Sequence, residues 1–128
     1  MPIEDFIKIA LPMPISVNVA YAWWWRWRRH KSNEYQKWLD IADEIMQEQN
    51  DYRITGNSWL EVEYTYFFPI YNQDWSIKKK DVFNFEKVLS DFLTKKIEGF
   101  KDEKIKKWTI EKIDSTRDEV EIIIREIL

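Results

Sequence analysis

The chain has 128 residues, of which 45% are hydrophobic and 34% are charged. This length and composition predict one globular domain over residues 1–128 and argue against a disordered chain. The sequence has no cysteine, which excludes disulfides, thiolate metal sites and a cysteine nucleophile. The formal net charge of −3 gives no support by itself to a nucleic-acid partner.

The N-terminus and the apolar runs bear on localisation. Residues 1–5 lack the basic region and the apolar core of a signal peptide. No apolar run approaches the roughly 18 residues that a membrane helix needs. We therefore expect a cytoplasmic protein with no membrane partner.

Hydrophobic periodicity predicts six elements in the order strand, helix, strand, helix, strand, strand. The predicted strands cover residues 5–11, 59–68, 105–113 and 119–127, and the predicted helices cover residues 32–49 and 81–96. Ser32 and Asp81 are the predicted helix N-caps. Residues 15–31 are expected to form an aromatic, arginine-rich connection. This order predicts an α+β domain in which two helices pack against a mixed sheet.

Basic residues are clustered although the chain is mildly acidic. One cluster lies at Arg26–Lys31, another at Lys78–Lys80, and a third spans Lys95–Lys107. Such patches can bind phosphates, because screening limits the reach of distant charges to about 8–10 Å. The alternative is that these lysines and arginines are ordinary solvated surface residues.

The segment Tyr21–Lys31 interleaves four tryptophans with arginines. Arginines among aromatic residues suit phosphate contacts together with stacking on exposed bases. The alternative is that the tryptophans pack beneath the sheet or at a dimer interface, where Trp and Arg are enriched. We expect a mixture of both.

The second predicted helix carries the strongest candidate for catalytic chemistry. Asp81 opens it, and Asn84, Lys87 and Asp91 fall within one sector at about 100° per residue. A helix of this length followed by a loop can fold back to bring Asp102 near Asp81. Magnesium prefers oxygen ligands, and two carboxylates beside a lysine suit metal-assisted phosphodiester hydrolysis. The alternative is a capped helix with a solvated face.

Other catalytic classes find little support. His30 is the only histidine, so a histidine-based metal site is excluded. The serines show no arrangement with histidine and carboxylate that would indicate a serine hydrolase. No glycine-rich phosphate loop is present, which argues against a nucleotide-driven enzyme.

Several motifs occur in a characteristic order. An apolar strand leads into Pro12-Met13-Pro14 and then Ser16-Val17-Asn18, and Ser32-Asn33-Glu34-Tyr35 follows. The positions of the pattern Asp-x-Asp-Asn-x-x-Lys-x-x-x-Asp carry Asp81, Phe83, Asn84, Lys87 and Asp91. The positions of a later pattern, Asp-Asp-x-x-Ile, carry Lys101, Asp102 and Ile105. In order and spacing, over almost the whole chain, this set resembles the RusA-like Holliday junction resolvases.

The resemblance implies a RusA-like fold and a homodimer that cuts four-way DNA junctions in recombination and repair. It implies a Mg²⁺ cofactor, with Mn²⁺ as a possible substitute. Asp81 and Asp102 are then metal ligands, and Lys87 contacts the scissile phosphate. The residues expected to bind branched DNA are Asn18, Arg26, Arg28, Arg29, Lys31, Lys78, Lys79 and Lys80.

Two positions depart from the family pattern. Phe83 stands where a ligand aspartate is expected, and Lys101 replaces the first acid of the later pair. Either Asp91, Asn84 or Glu103 completes the site, or metal binding is weakened and the protein binds junctions while cutting poorly. A third possibility is an interaction module unrelated to nucleic acid.

Overall fold

A computed structural model describes residues 6–14, 21–23, 29–31, 33–48, 54, 58–78 and 83–127. For residues 21–23, 29–31, 83 and 84 it describes the backbone. Within these ranges, no helix is both long enough and apolar enough to cross a bilayer.

The described elements comprise six strands, two α-helices and one 3-10 turn. The strands are β1 (Phe6–Pro12), β2 (Tyr21–Trp23), β3 (Arg29–Lys31), β4 (Trp59–Phe68), β5 (Ile105–Asp114) and β6 (Glu119–Ile127). The helices are α1 (Asn33–Glu48) and α2 (Phe83–Lys96), and the 3-10 turn is Asp102–Lys104.

Four of the strands form one mixed sheet in the order β1-β6-β4-β5. The β4–β5 pair is parallel, whereas β6 is antiparallel to both of its neighbours. Because β4 and β5 are parallel, the chain must cross from the end of one to the start of the other, and α2 makes that crossover. The predicted α+β class, mixed sheet and order of the main elements are confirmed.

One face of the sheet and both helices enclose the core. Alternate residues of β4 are buried, as expected for a strand with one face against helices, and α2 contributes its apolar stripe. These residues are Leu60, Val62, Tyr64, Tyr66 and Phe68 on the strand, and Phe85, Val88, Leu89, Phe92 and Leu93 on the helix. The helices contact each other through Trp38 and Phe92, whose ring centroids lie 5.3 Å apart.

The opposite face of the sheet is only partly covered in the described part of the chain. It carries a charged cluster in which Arg125 lies 3.0 Å from Glu63 and 3.9 Å from Glu61. Arg117 lies over the ring of Phe67. Positive and negative charges alternate on this face, so it lacks the single-sign field that would attract phosphates.

The prediction for residues 15–31 was incomplete. That connection contains an antiparallel pair, β2 with β3, in which Tyr21 lies opposite Lys31. Each strand has only three residues, and the intervening sequence has no Asn-Gly or Gly-Gly turn signal. Strands this short show too little alternation of apolar and polar residues to predict a hairpin. The predicted N-caps, Ser32 and Asp81, lie outside the described residues.

Strand β1 ends at Pro12, one residue beyond the predicted boundary, with Pro12 opposite Glu119. A proline is tolerated there because β1 is an edge strand, so its missing N–H leaves no neighbour unpaired.

Candidate active site

Helix α2 presents two of the predicted catalytic residues on one exposed face. Lys87 Nζ lies 3.9 Å from Asp91 Oδ2, one helical turn further on, and the Lys87 side chain is 58% exposed. The prediction that these two side chains share a sector of the helix is confirmed. An exposed pair of this type contributes little to stability, so the lysine remains accessible to a phosphate.

Asp102 lies on the 3-10 turn that precedes β5, and both it and Glu103 are exposed. The turn follows Gly99, which has a φ of +88°. A Cβ at Gly99 would lie 2.5 Å from the carbonyl oxygen of Ile54, so only glycine fits this close approach. The Ile54 N–H also donates to the Glu98 carbonyl at 2.8 Å, and these contacts fix the chain just before Asp102.

A buried hydrogen-bonded chain connects β4 with the first half of α2. The Ser90 hydroxyl donates to Glu86 Oε1 at 2.8 Å and lies 2.9 Å from the Tyr64 hydroxyl. Tyr64 and Ser90 are buried, and Glu86 is half-buried. This Glu86–Ser90–Tyr64 chain was missed by the sequence analysis. A serine in the apolar stripe of a helix, four residues after a glutamate, is the signal that could have found it.

The pKa of Tyr64 is affected by two carboxylates, Glu86 on α2 and Asp102 on the 3-10 turn. Burial is the largest cause that raises the pKa of Tyr64 far above its usual value, and the charges of Glu86 and Asp102 raise it further. The two carboxylates therefore both act on one phenol, although they are 16 positions apart in the sequence. Asp102 therefore lies within electrostatic range of Tyr64 on β4.

A second tyrosine lies in the same region. Tyr66 packs against Phe85, with ring centroids 5.9 Å apart. Burial, followed by the charge of Glu86, raises its pKa well above the usual range. Its buried hydroxyl has no hydrogen-bond partner among the described residues.

The remaining predicted site residues are described in part or not at all. Asn18, Arg26, Arg28, Lys79, Lys80 and Asp81 lie outside the described residues. Arg29 and Lys31 belong to β3, and Phe83 and Asn84 open α2, but only their backbones are described. Lys78 is half-buried, and its backbone N–H donates to the Ile70 carbonyl at 2.7 Å. The proximity of Asp81 to Asp102 stays a prediction.

The carboxylates of α2 and of the 3-10 turn that follows it have the oxygen chemistry that a hard divalent cation prefers. Asp102 and Glu103 offer exposed carboxylate oxygens, and Glu86 adds a half-buried one. Magnesium binds such oxygens and keeps several waters, so an accessible carboxylate suits it. Among the residues that the structure describes, no three acidic or histidine side chains form a metal-binding group, and the predicted set includes Asp81, which is not among them.

Comparison with known proteins gives one assignment. The family model of endodeoxyribonuclease RusA matches residues 12–125, which is most of the chain. A search among curated proteins finds no match. The matched range includes α2 and the 3-10 turn, which carry Lys87, Asp91 and Asp102. The family consists of endodeoxyribonucleases that resolve Holliday junctions. The chain belongs to the RusA endodeoxyribonuclease family.

Proposed function

We propose that this protein is a homodimeric, divalent-metal-dependent endonuclease that cuts four-way DNA junctions during recombination and repair. The observation that carries the proposal is the family match over residues 12–125. It is supported by the exposed lysine of α2 and by the exposed carboxylate of Asp102 on the 3-10 turn that follows the same helix. Cleavage of both strands at symmetric positions needs two sites, which a homodimer supplies.

In this proposal Asp81 and Asp102 hold Mg²⁺, and Mn²⁺ can replace it. An ion held there would supply Lewis-acid polarisation of the scissile phosphate and a water activated for attack. Lys87 contacts the same phosphate and stabilises the negative charge that develops on it. Asp91 restricts the position of the lysine through their ion pair, and Asn84 gives local support.

The proposed DNA contacts come from the basic clusters. Lys78, Lys79 and Lys80 precede α2 directly, and the arginines of the segment 26–31 with Lys31 and Asn18 extend the surface. Each phosphate contact releases counterions, so junction affinity should fall steeply as salt rises. These contacts position the DNA without reading its sequence.

A second candidate function is junction binding with little or no cleavage. The observation that favours it is Phe83, whose side chain offers no atom that coordinates a metal. Glu103, Asp91 or Asn84 would otherwise complete the ligand set. The half-buried carboxylate of Glu86, one helical turn after Phe83, is a further oxygen donor close to that position.

A cleavage assay separates the two functions. A four-way junction labelled on each strand in turn is incubated with the protein and Mg²⁺ or Mn²⁺. The nuclease proposal expects paired nicks that disappear in Asp102→Asn and persist in Asp118→Asn, an exposed acid outside the motifs. Tight binding without any product supports the binding function.

The substitution Phe83→Asp tests whether the missing carboxylate at this position limits catalysis. If the missing carboxylate limits catalysis, this variant should cleave faster or bind the metal more tightly than the wild type. An unchanged rate and an unchanged metal affinity would show that another residue already completes the site.

A further inference from the structure

The segment after β4 forms a loop at the end of the sheet, and the two ends of this loop are hydrogen-bonded to each other. The Lys78 N–H donates to the Ile70 carbonyl, and the Ile70 N–H donates to Asp114 Oδ1 at 2.9 Å. Just beyond these bonds, Tyr71 and Ile77 form an antiparallel bridge. The residues from Tyr71 to Ile77, called here the 71–77 loop, therefore project from a base that is fixed to β5.

Hydrogen bonds hold this loop in one shape although every residue in it is exposed. The Asn72 N–H donates to the Ser76 carbonyl at 2.8 Å, and the Trp75 N–H donates to the Asn72 carbonyl at 3.0 Å. The Ser76 N–H and hydroxyl both donate to Asp74 Oδ1, at 3.0 and 2.5 Å. These bonds lower the pKa of Asp74. The loop is thus ordered by its own polar groups.

The ordered loop presents a tryptophan to solvent. Trp75 is 81% exposed, and it touches the ring of Tyr71, with centroids 6.1 Å apart. Its φ of +66° lies in the left-handed region, where it is the one non-glycine residue among those described. Bulky side chains rarely adopt this conformation. Neither core packing nor backbone preference accounts for an indole at this position.

The surroundings of the loop indicate a nucleic-acid ligand. Lys78 lies at its base, and Lys79, Lys80 and the family motif that opens α2 follow directly in the sequence. Aromatic side chains beside basic residues stack on bases with little sequence preference. A continuous duplex hides the faces of its base pairs, whereas a branch point exposes them.

We propose that Trp75 stacks on a base face that is exposed at the branch point of the DNA. This inference rests on the proposed function, since it takes branched DNA as the ligand. The loop contributes recognition of the branch, while the lysines contribute affinity for any backbone. The carboxylate of Asp74 accepts two hydrogen bonds from Ser76 and keeps its negative charge, so the phosphate contacts are assigned to the lysines that follow the loop and the base contact to Trp75.

The test uses a four-way junction that carries 2-aminopurine either at the branch point or inside one arm, in buffer with EDTA so that no cleavage occurs. Trp75→Asn removes the indole and keeps a residue that tolerates a positive φ, whereas Trp75→Phe keeps an aromatic ring. Trp59→Ala is the matched control, because Trp59 is also exposed, at 49%, but lies at the start of β4. Affinity for a plain duplex is measured alongside.

We expect Trp75→Asn to weaken junction binding by roughly 5- to 150-fold, with duplex affinity unchanged. Trp75→Phe should retain most of the affinity, Trp59→Ala all of it, and quenching of 2-aminopurine should occur at the branch position only. Wild-type affinity in Trp75→Asn would overturn the inference and leave the proposed function intact. A wild-type protein with no preference for the junction would overturn both. Conversion of a dimer to a monomer by Trp75→Asn would show that the loop binds a second copy instead, which also overturns the inference.

Discussion

The hydroxyl groups of Tyr64 and Ser90 lie 2.9 Å apart inside the core and join the central strand β4 to helix α2. Ser90 in turn donates to Glu86. Each of these polar groups therefore has a hydrogen-bond partner, as most buried polar groups do. The pair lies on the same side of α2 as its buried apolar residues, whereas Lys87 lies on the exposed side.

Removing the serine hydroxyl should destabilise the protein. Ser90→Ala leaves the Tyr64 hydroxyl and one oxygen of Glu86 without their partner, and the expected cost is about 1–3 kcal/mol in the free energy of unfolding. Urea denaturation followed by circular dichroism measures it. Tyr64→Phe and the double variant complete a cycle. Strictly additive losses would mean that the two hydroxyls do not interact.

The two buried tyrosines predict the behaviour of the protein in alkali. Burial raises the pKa of both Tyr64 and Tyr66 above that of an unfolded tyrosine. Their contribution to stability is therefore complete below pH ~10 and is lost as pH rises beyond it, because the unfolded chain releases protons that the folded chain retains.

Absorbance at 295 nm during an alkaline titration provides the measurement. At least two of the six tyrosines should ionise only when the protein unfolds. Ionisation of all six with native circular dichroism would contradict the burial of these two phenols.

Gly99 should not tolerate a side chain. In Gly99→Ala the new Cβ would lie 2.5 Å from the Ile54 carbonyl oxygen, at a φ of +88°. We expect a loss of more than about 1 kcal/mol in the free energy of unfolding. The control Lys101→Ala changes an exposed neighbour and should stay within about 0.5 kcal/mol of the wild type. Equal thermal midpoints for the two variants would show that the turn before Asp102 rearranges freely.

Lys87 should affect cleavage more than folding. Its side chain is exposed and forms one loose ion pair, so Lys87→Ala should leave the thermal midpoint nearly unchanged. The cleavage rate of a junction should fall by about 100-fold or more, the usual effect of removing a group that stabilises transition-state charge. Single-turnover kinetics at saturating protein measure the rate.

Lys37→Ala on α1, another exposed lysine, is the control for a general change of charge. If both lysine variants lose rate equally, Lys87 has no specific role. If Lys87→Ala weakens binding and leaves the single-turnover rate intact, the lysine contacts the DNA backbone away from the scissile phosphate.

Most of the fold could be predicted because its elements are long and periodic. Strand β4 alternates buried and half-buried residues from Leu60 to Phe68, and α2 carries an apolar stripe broken only by Ser90. The β2–β3 pair could not be predicted, since three-residue strands carry too little pattern. The 71–77 loop was likewise invisible, because its shape depends on backbone bonds such as that from Trp75 to Asn72.

In the candidate site too, some features follow from the local sequence and others depend on residues far apart in the chain. The shared face of Lys87 and Asp91 follows from helical spacing alone and is confirmed by their ion pair. The bond between Tyr64 and Ser90 joins residues 26 positions apart, and no local pattern encodes such a pairing. The effect of Asp102 on Tyr64 depends on the whole crossover from β4 through α2 to β5.

The proposed nuclease activity requires Asp81 and Asp102 to bind one divalent ion together. Isothermal titration of Mn²⁺ into the wild type, Asp81→Asn, Asp102→Asn and the double variant tests this directly. If the two carboxylates share an ion, each single variant should lose most of the affinity, and the double variant should lose little more. Wild-type Mn²⁺ affinity in either single variant, or independent losses that add in the double variant, would contradict the shared site.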